Sequence, residues 1–151
     1  MSNTFYIDPV VEAEKYGITV IADTSTPRLL KAGENGMIEK TDKGITIYVC
    51  PDDTLERQRF TIAHELGHFM CGHLTENKTM FRDGNKEYSK DNYDIQEYEA
   101  NNYAAELLMP SHKIDFLINN EGLNTIDSLA EALVVSYTAM LYMLKNLGWV
   151  S

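Results

Sequence analysis

His64-Glu65-Leu66-Gly67-His68 sets two imidazoles four residues apart with a carboxylate between them. On an α-helix such residues share a face, so both rings can reach one zinc ion at about 2.0 to 2.1 Å while Glu65 projects beside them toward the ion's open position. The chemistry is metal-assisted hydrolysis. Zinc acidifies a bound water, and Glu65 takes the proton during attack on a polarised carbonyl, then returns it to the leaving amine. Glu65 is expected to be the catalytic base, not a ligand.

The bland alternative is a surface helix. At about 100° per residue, Phe60, Ile62, Ala63, Leu66, Phe69, Met70 and Cys71 take most of the circumference, leaving Arg57, Thr61, His64, Glu65 and His68 in one narrow polar strip. A helix apolar on most sides is buried on most sides, so the strip is expected to face an internal cleft.

A catalytic zinc normally has three protein ligands and one water. The metzincin spacing fails, because its glycine and third-histidine places hold Cys71 and Leu74. His73, on a continued helix, falls about 180° from His64. Cys71 faces the histidines, but three ligands strung along one helix converge poorly on one ion, so both residues are expected to be structural. A second helix offers Glu97, which lies in the apolar stripe of Ala100, Tyr103, Ala104, Leu107 and Leu108, whereas Glu99 lies with Asn102 and Glu106 on the polar side. A carboxylate facing the core needs a partner. Zinc is one; Arg57 or Arg59 is the alternative. Asn101, one turn after Glu97, is placed to orient a ligand histidine by accepting from its other ring nitrogen.

The elements around these residues read as helix, strands, then helices, an α+β fold. Asp8-Pro9 opens a short helix that stops at Gly17, and Ile18 to Ala22 reads as a strand. Met37 to Glu39 and Ile45 to Val49 flank a polar turn, Lys40 to Gly44, as in a β-hairpin. Asp53 with Glu56 resembles a capping box opening a long helix from Leu55 to about Gly72. Leu74 to Asp94 is polar and aperiodic, as in a flap over a site. Helical periodicity returns from Ile95 to Met109 and stops at Pro110; Ser111, Thr125 and Ser136 are expected to cap three further helices.

The 151 residues suit one domain, residues 1–151. A net charge of −10 disfavours direct binding to nucleic acid or anionic lipid. No signal peptide or membrane span is visible, so a cytoplasmic location is expected. Cys50 and Cys71 are expected to be reduced, buried thiols.

Arg59 to His68, followed by Glu97-Tyr98-Glu99-Ala100-Asn101-Asn102-Tyr103-Ala104-Ala105-Glu106-Leu107-Leu108-Met109-Pro110, resembles the ImmA/IrrE family of zinc metallo-endopeptidases. The likeness runs from Arg57 to Pro110 and more loosely over the closing helices. It implies a zincin-like, gluzincin-type core: a small β-sheet packed on the active-site helix, then a helical C-terminal half. It also implies zinc held by His64, His68 and Glu97, with Glu65 as base. The implied partners are helix-turn-helix repressors or antitoxin-like regulators, often encoded on phages and mobile elements and inactivated by cleavage. Tyr103 stands where phenylalanine is more usual, and the separate DNA-binding or sensor domains of longer relatives are not seen.

Two rival classes stand beside this reading. Leu129 to Met140 has helix-turn-helix rhythm, as in a DNA-binding regulator. From Thr125 to Ser151, however, the only cation is Lys145, which leaves little to hold phosphate. The other rival is a non-catalytic zinc-containing module that binds and regulates such a repressor; it has no need of Glu65. Ile45 to Val49 is either an exposed edge that binds peptide by strand addition or an internal strand. Tyr93, Tyr103, His73 and His112 are the candidates for stabilising an oxyanion.

Overall fold

A computed structural model describes residues 5–84 and 95–151. In chain order the elements are α1 (Pro9–Glu14), β1 (Thr19–Ala22), β2 (Glu34–Thr41), β3 (Gly44–Val49), α2 (Leu55–Met70), β4 (Met80–Gly84), α3 (Ile95–Leu108), α4 (Ser111–Asn119), α5 (Ile126–Leu133) and α6 (Tyr137–Asn146). The strands form one mixed sheet in the order β1-β3-β2-β4, with β1 parallel to β3 and the other pairings antiparallel. The architecture is the expected α+β, a small sheet followed by helices.

Local chemistry explains most of the boundaries. Asp8 accepts from the Val10 amide at 2.9 Å and Pro9 supplies the first helical φ, so α1 starts there. The β2–β3 hairpin turns at Asp42-Lys43, with Thr41 paired to Gly44, whose φ of +122° only glycine adopts readily. Thr125 caps α5 by accepting from Ser128, and Ser136 caps α6 by accepting from Ala139, both as expected. Two expected caps differ. The α2 N-cap is Thr54, accepting from Arg57, rather than Asp53, and Pro110 stands at the N-cap of α4 with no side-chain bond, leaving Ser111 in the first turn. The expected flap holds a strand at its centre: β4 pairs with β2, while residues 85–94 lie outside the described residues.

Helix α2 lies between two cores. Its Leu66 packs with Ala13, Ile18, Ile38, Ile47 and Phe81 on the sheet side, and its Ala63 packs with Leu108, Leu133 and Met140 on the helical side. Arg59 ties α2 to the end of α5 by donating to Val134 O at 3.1 Å and Leu133 O at 3.3 Å. Two glycines permit the close approaches that shape the site. A Cβ on Gly67 would stand 2.9 Å from Ala100 O and 3.0 Å from Ala100 Cα, so α2 and α3 touch backbone to backbone one turn from Glu97. A Cβ on Gly36 would meet the Thr61 side chain and Tyr48 O, which lets β2 cross α2 beside Glu65.

Neither cysteine is buried as expected: Cys50 is half-buried and Cys71 exposed, because α2 ends at Met70 and Cys71 belongs to the turn that leaves it. Strand β3 is internal, between β1 and β2, so it offers no edge to a peptide. No single described helix is long and apolar enough to cross a membrane. Helices α5 and α6 meet at 109° and bury Leu129, Leu133, Met140 and Leu144.

Candidate metal centre

Helix α2 presents His64, Glu65 and His68 together because of their helical spacing, and α3 crosses it at Gly67 with Glu97 in its first turn. His64 Nε2 stands 2.8 Å from Glu97 Oε2, and His68 Nε2 stands 3.2 Å from Glu97 Oε1. A fourth group arrives from β4: Asp83 Oδ2 is 3.3 Å from His64 Nε2 and 3.4 Å from His68 Nε2. Ligand atoms of His64, His68, Asp83 and Glu97 all lie within 4.8 Å of one another. Glu97 meets both imidazoles, while Arg59 donates to the end of α5 and Arg57 donates to Asn35 Oδ1 at 2.9 Å.

The outer contacts orient the two rings. His64 Nδ1 lies 2.8 Å from Asn101 Oδ1, the bond anticipated for Asn101. His68 Nδ1 lies 2.9 Å from His73 Nδ1, and His73 Nε2 lies 3.2 Å from Glu99 Oε1. His73 thus does for His68 what Asn101 does for His64. A continued helix would carry His73 about 180° from His64, but α2 stops, Gly72 adopts φ +77°, and the chain folds back so that His73 N donates to His68 O at 2.9 Å. Phe81 of β4 stacks on His68, 4.0 Å between centroids, and closes the far side of that ring.

The site is short of positive charge. Glu65 is fully buried and neither of its oxygens has a donor, and the same holds for Asp83 Oδ2; His68 Nε2 is likewise buried without a hydrogen-bond partner. Burial alone would lower His64, but its hydrogen bonds to the carboxylates of Asp83 and then Glu97 outweigh it and raise its pKa to about 9. Burial likewise opposes the rise of His68, which Asp83 and Glu97 again produce. Asp83 is lowered because the imidazoles of His64 and then His68 beside it overcome its burial. Glu65 is pushed well up, first by burial and then by Asp83, Glu97 and Glu34. A proton on Glu65 lets it donate to Asp83. Two imidazole nitrogens and two carboxylates aimed at one point are the donor set of a divalent transition metal, and its charge would answer the unpaired acceptors.

Two hollows adjoin the cluster. A small one, about 60 Å³, is lined by His64, Glu65, Asp83, Asn35, Arg57 and Asn101 among others. A larger cleft of about 760 Å³ between α2, α3 and the α5–α6 corner shares Arg57, Phe60 and Asn101 with it. Of the expected oxyanion candidates, His73 is engaged with His68 and Glu99, and His112 is exposed on α4. Burial raises Tyr103, as do neighbouring Tyr16, Glu12 and Cys71, which places it on the α1 side of α2. Tyr93 lies outside the described residues.

A sheet-backed HExxH helix, followed by a helix bringing an inward glutamate, defines a metallopeptidase-type domain with a zincin-like core. Residues 13–145 match the IrrE N-terminal-like domain, and the chain belongs to that family. It is also 38% identical over 94 residues to the radiation response metalloprotease IrrE of Deinococcus deserti, a stretch covering 60% of this chain and 32% of that protein. The chain therefore spans about a third of the relative's length where the two align.

Proposed function

We propose that the chain is a cytoplasmic zinc endopeptidase, one domain over residues 1–151, that cleaves or inactivates a helix-turn-helix repressor or antitoxin-like regulator. The observation that carries this is the convergence of His64, His68 and Glu97 beside a fully buried Glu65 whose oxygens have no donor. In this reading His64 Nε2, His68 Nε2 and one Glu97 oxygen hold the zinc. When bound, zinc supplies Lewis-acid polarisation of the peptide carbonyl and acidifies water.

The rest falls to the chain's own groups. Glu65 takes the proton of the attacking water on a carboxylate oxygen and hands it to the departing nitrogen. Asn101 and His73 accept from the Nδ1–H of His64 and His68, leaving each Nε2 lone pair directed inward. The cleft of about 760 Å³ offers a route for substrate side chains, with Phe60 and Asn101 at its junction with the site. The net charge of −10 supports a protein partner over direct contact with nucleic acid.

Wild type and Glu65→Gln, each with zinc and with a chelator, are incubated with the helix-turn-helix regulator encoded beside the gene and followed by intact mass. Fragments with zinc-loaded wild type alone support the reading. The crowding of Asp83 against both histidines favours a second reading, a zinc-containing module that regulates its partner by binding. Zinc-dependent association without fragments, equal in both variants, selects it.

A further inference from the structure

We propose that Asp83 is a fourth protein ligand of the metal, so that the domain at rest holds a closed site from which Asp83 must swing away before substrate can react. This rests on the reading above, in which His64, His68 and Glu97 hold zinc. Four ligands set tetrahedrally at about 2.0 to 2.1 Å from an ion stand about 3.3 Å from one another. Asp83 Oδ2 meets that edge twice, at 3.3 Å from His64 and 3.4 Å from His68, as closely as Glu97 Oε1 does at 3.2 Å from His68. The same Oδ2 atom is buried, and it faces the Nε2 of a fully buried His68. A buried carboxylate oxygen so placed against two imidazole nitrogens and a second carboxylate completes a donor set that fits a metal ion.

The backbone delivers Asp83 deliberately. Residues 81 and 83 alternate onto one face of β4: Phe81 stacks on the His68 ring while Asp83 reaches its Nε2. The β2–β4 register shifts between Glu34 and Gly36, the residue paired with Asp83, and such a bulge re-aims a side chain. On the opposite face Arg82 bonds Glu34 at 2.7 Å, and a Cβ on Gly84 would stand 2.9 Å from Glu34 Cα, so the strand end is pinned.

The consequence for chemistry is direct. A catalytic zinc keeps one open position, whereas a structural zinc has four protein ligands. With Asp83 in place the solvent position is filled. Two rotatable bonds free an aspartate without moving its strand, and the hollow of about 60 Å³ beside it, lined by Asn35, Arg57 and Asn101, offers polar groups to receive it.

The test uses the full chain loaded with cobalt(II) in place of zinc, and needs no substrate. A solvent ligand titrates near pH 7 and would carry the cobalt visible spectrum with it. Wild type should show a four-coordinate spectrum that is unchanged between about pH 6 and 8, and Asp83→Ala a spectrum that titrates in that range. Asp83→Ala should also weaken metal binding at least about tenfold in competition with a chelator, the loss that even an outer contact to a ligand produces. Asp83→Asn, which keeps the shape and surrenders the charge, should weaken binding in the same direction, and circular dichroism of the metal-free variants checks that they fold. A wild-type spectrum that titrates like that of Asp83→Ala, with equal metal affinity, overturns the proposal and leaves the peptidase reading intact. Failure of wild type to bind metal overturns both.

Discussion

Glu65 carries a carboxyl with no exposed surface and no hydrogen-bond donor on either oxygen among the described residues. Such a group is retained for chemistry, because leaving a buried acceptor unpaired costs about 1 to 3 kcal/mol. Glu65→Gln is expected to change the stability of the metal-free protein by less than about 1 kcal/mol, since a neutral amide replaces a carboxyl that burial already holds neutral. Urea unfolding in chelator measures it, and the same variant should still take up metal. His73 and Asn101 act through the rings they hold. His73→Ala and Asn101→Ala should each weaken metal binding by about 10- to 100-fold in chelator competition while leaving the helical signal unchanged. The pair was unequally visible: Asn101 follows Glu97 by one helical turn, whereas His73 lies beyond a helix end that periodicity did not locate.

At the scale of elements, the site depends on how closely α2 and α3 approach. Gly67→Ala sets a methyl 2.9 Å from Ala100 O, and because that atom is backbone, α3 must shift and carry Glu97 with it. The expected cost is about 1 to 3 kcal/mol, together with weakened metal binding; unfolding and metal titration of one variant read both. The loop between β1 and β2 is tied by Asp23, which accepts from Leu30 N at 2.9 Å and from Ser25. The Leu30 amide, then the Ser25 hydroxyl, hold its carboxyl below the usual range against burial. A depressed carboxylate contributes stability that is present above the unfolded pKa of about 3.9 and lost as pH falls through the folded value. Between about pH 5 and 2.5, wild type should therefore lose more of its urea midpoint than Asp23→Asn does. The hairpin and the capped helices α1, α5 and α6 were legible because turns and caps are local. The central strand of the expected flap was not, since β4 exists only by pairing with β2 some forty residues earlier.

For the whole molecule, a metal ion held by the cluster of His64, His68, Asp83 and Glu97 would be a folding ligand. Free metal at a thousandfold above the dissociation constant adds about 4 kcal/mol, which for a chain of this size raises the melting temperature by about 8 to 16 °C. Calorimetry with metal and with chelator tests this; equal melting temperatures would count against metal at the cluster. What the sequence determined by itself was the part ruled by helical geometry. The spacing of His64, Glu65 and His68, and the place of Glu97 within an apolar stripe, follow from 3.6 residues per turn, a property of any window a few turns long. Tertiary structure alone decided what long-range pairing and chain reversal decide. It put β3 inside the sheet and not at an edge, since that depends on where β1 pairs. It turned His73 back onto His68, and it carried Asp83 on an edge strand, opposite a bulge in β2, into the gap between two histidines. Periodicity records which face a residue occupies on its own element, and the energy that brings one element against another lies in partners far away along the chain.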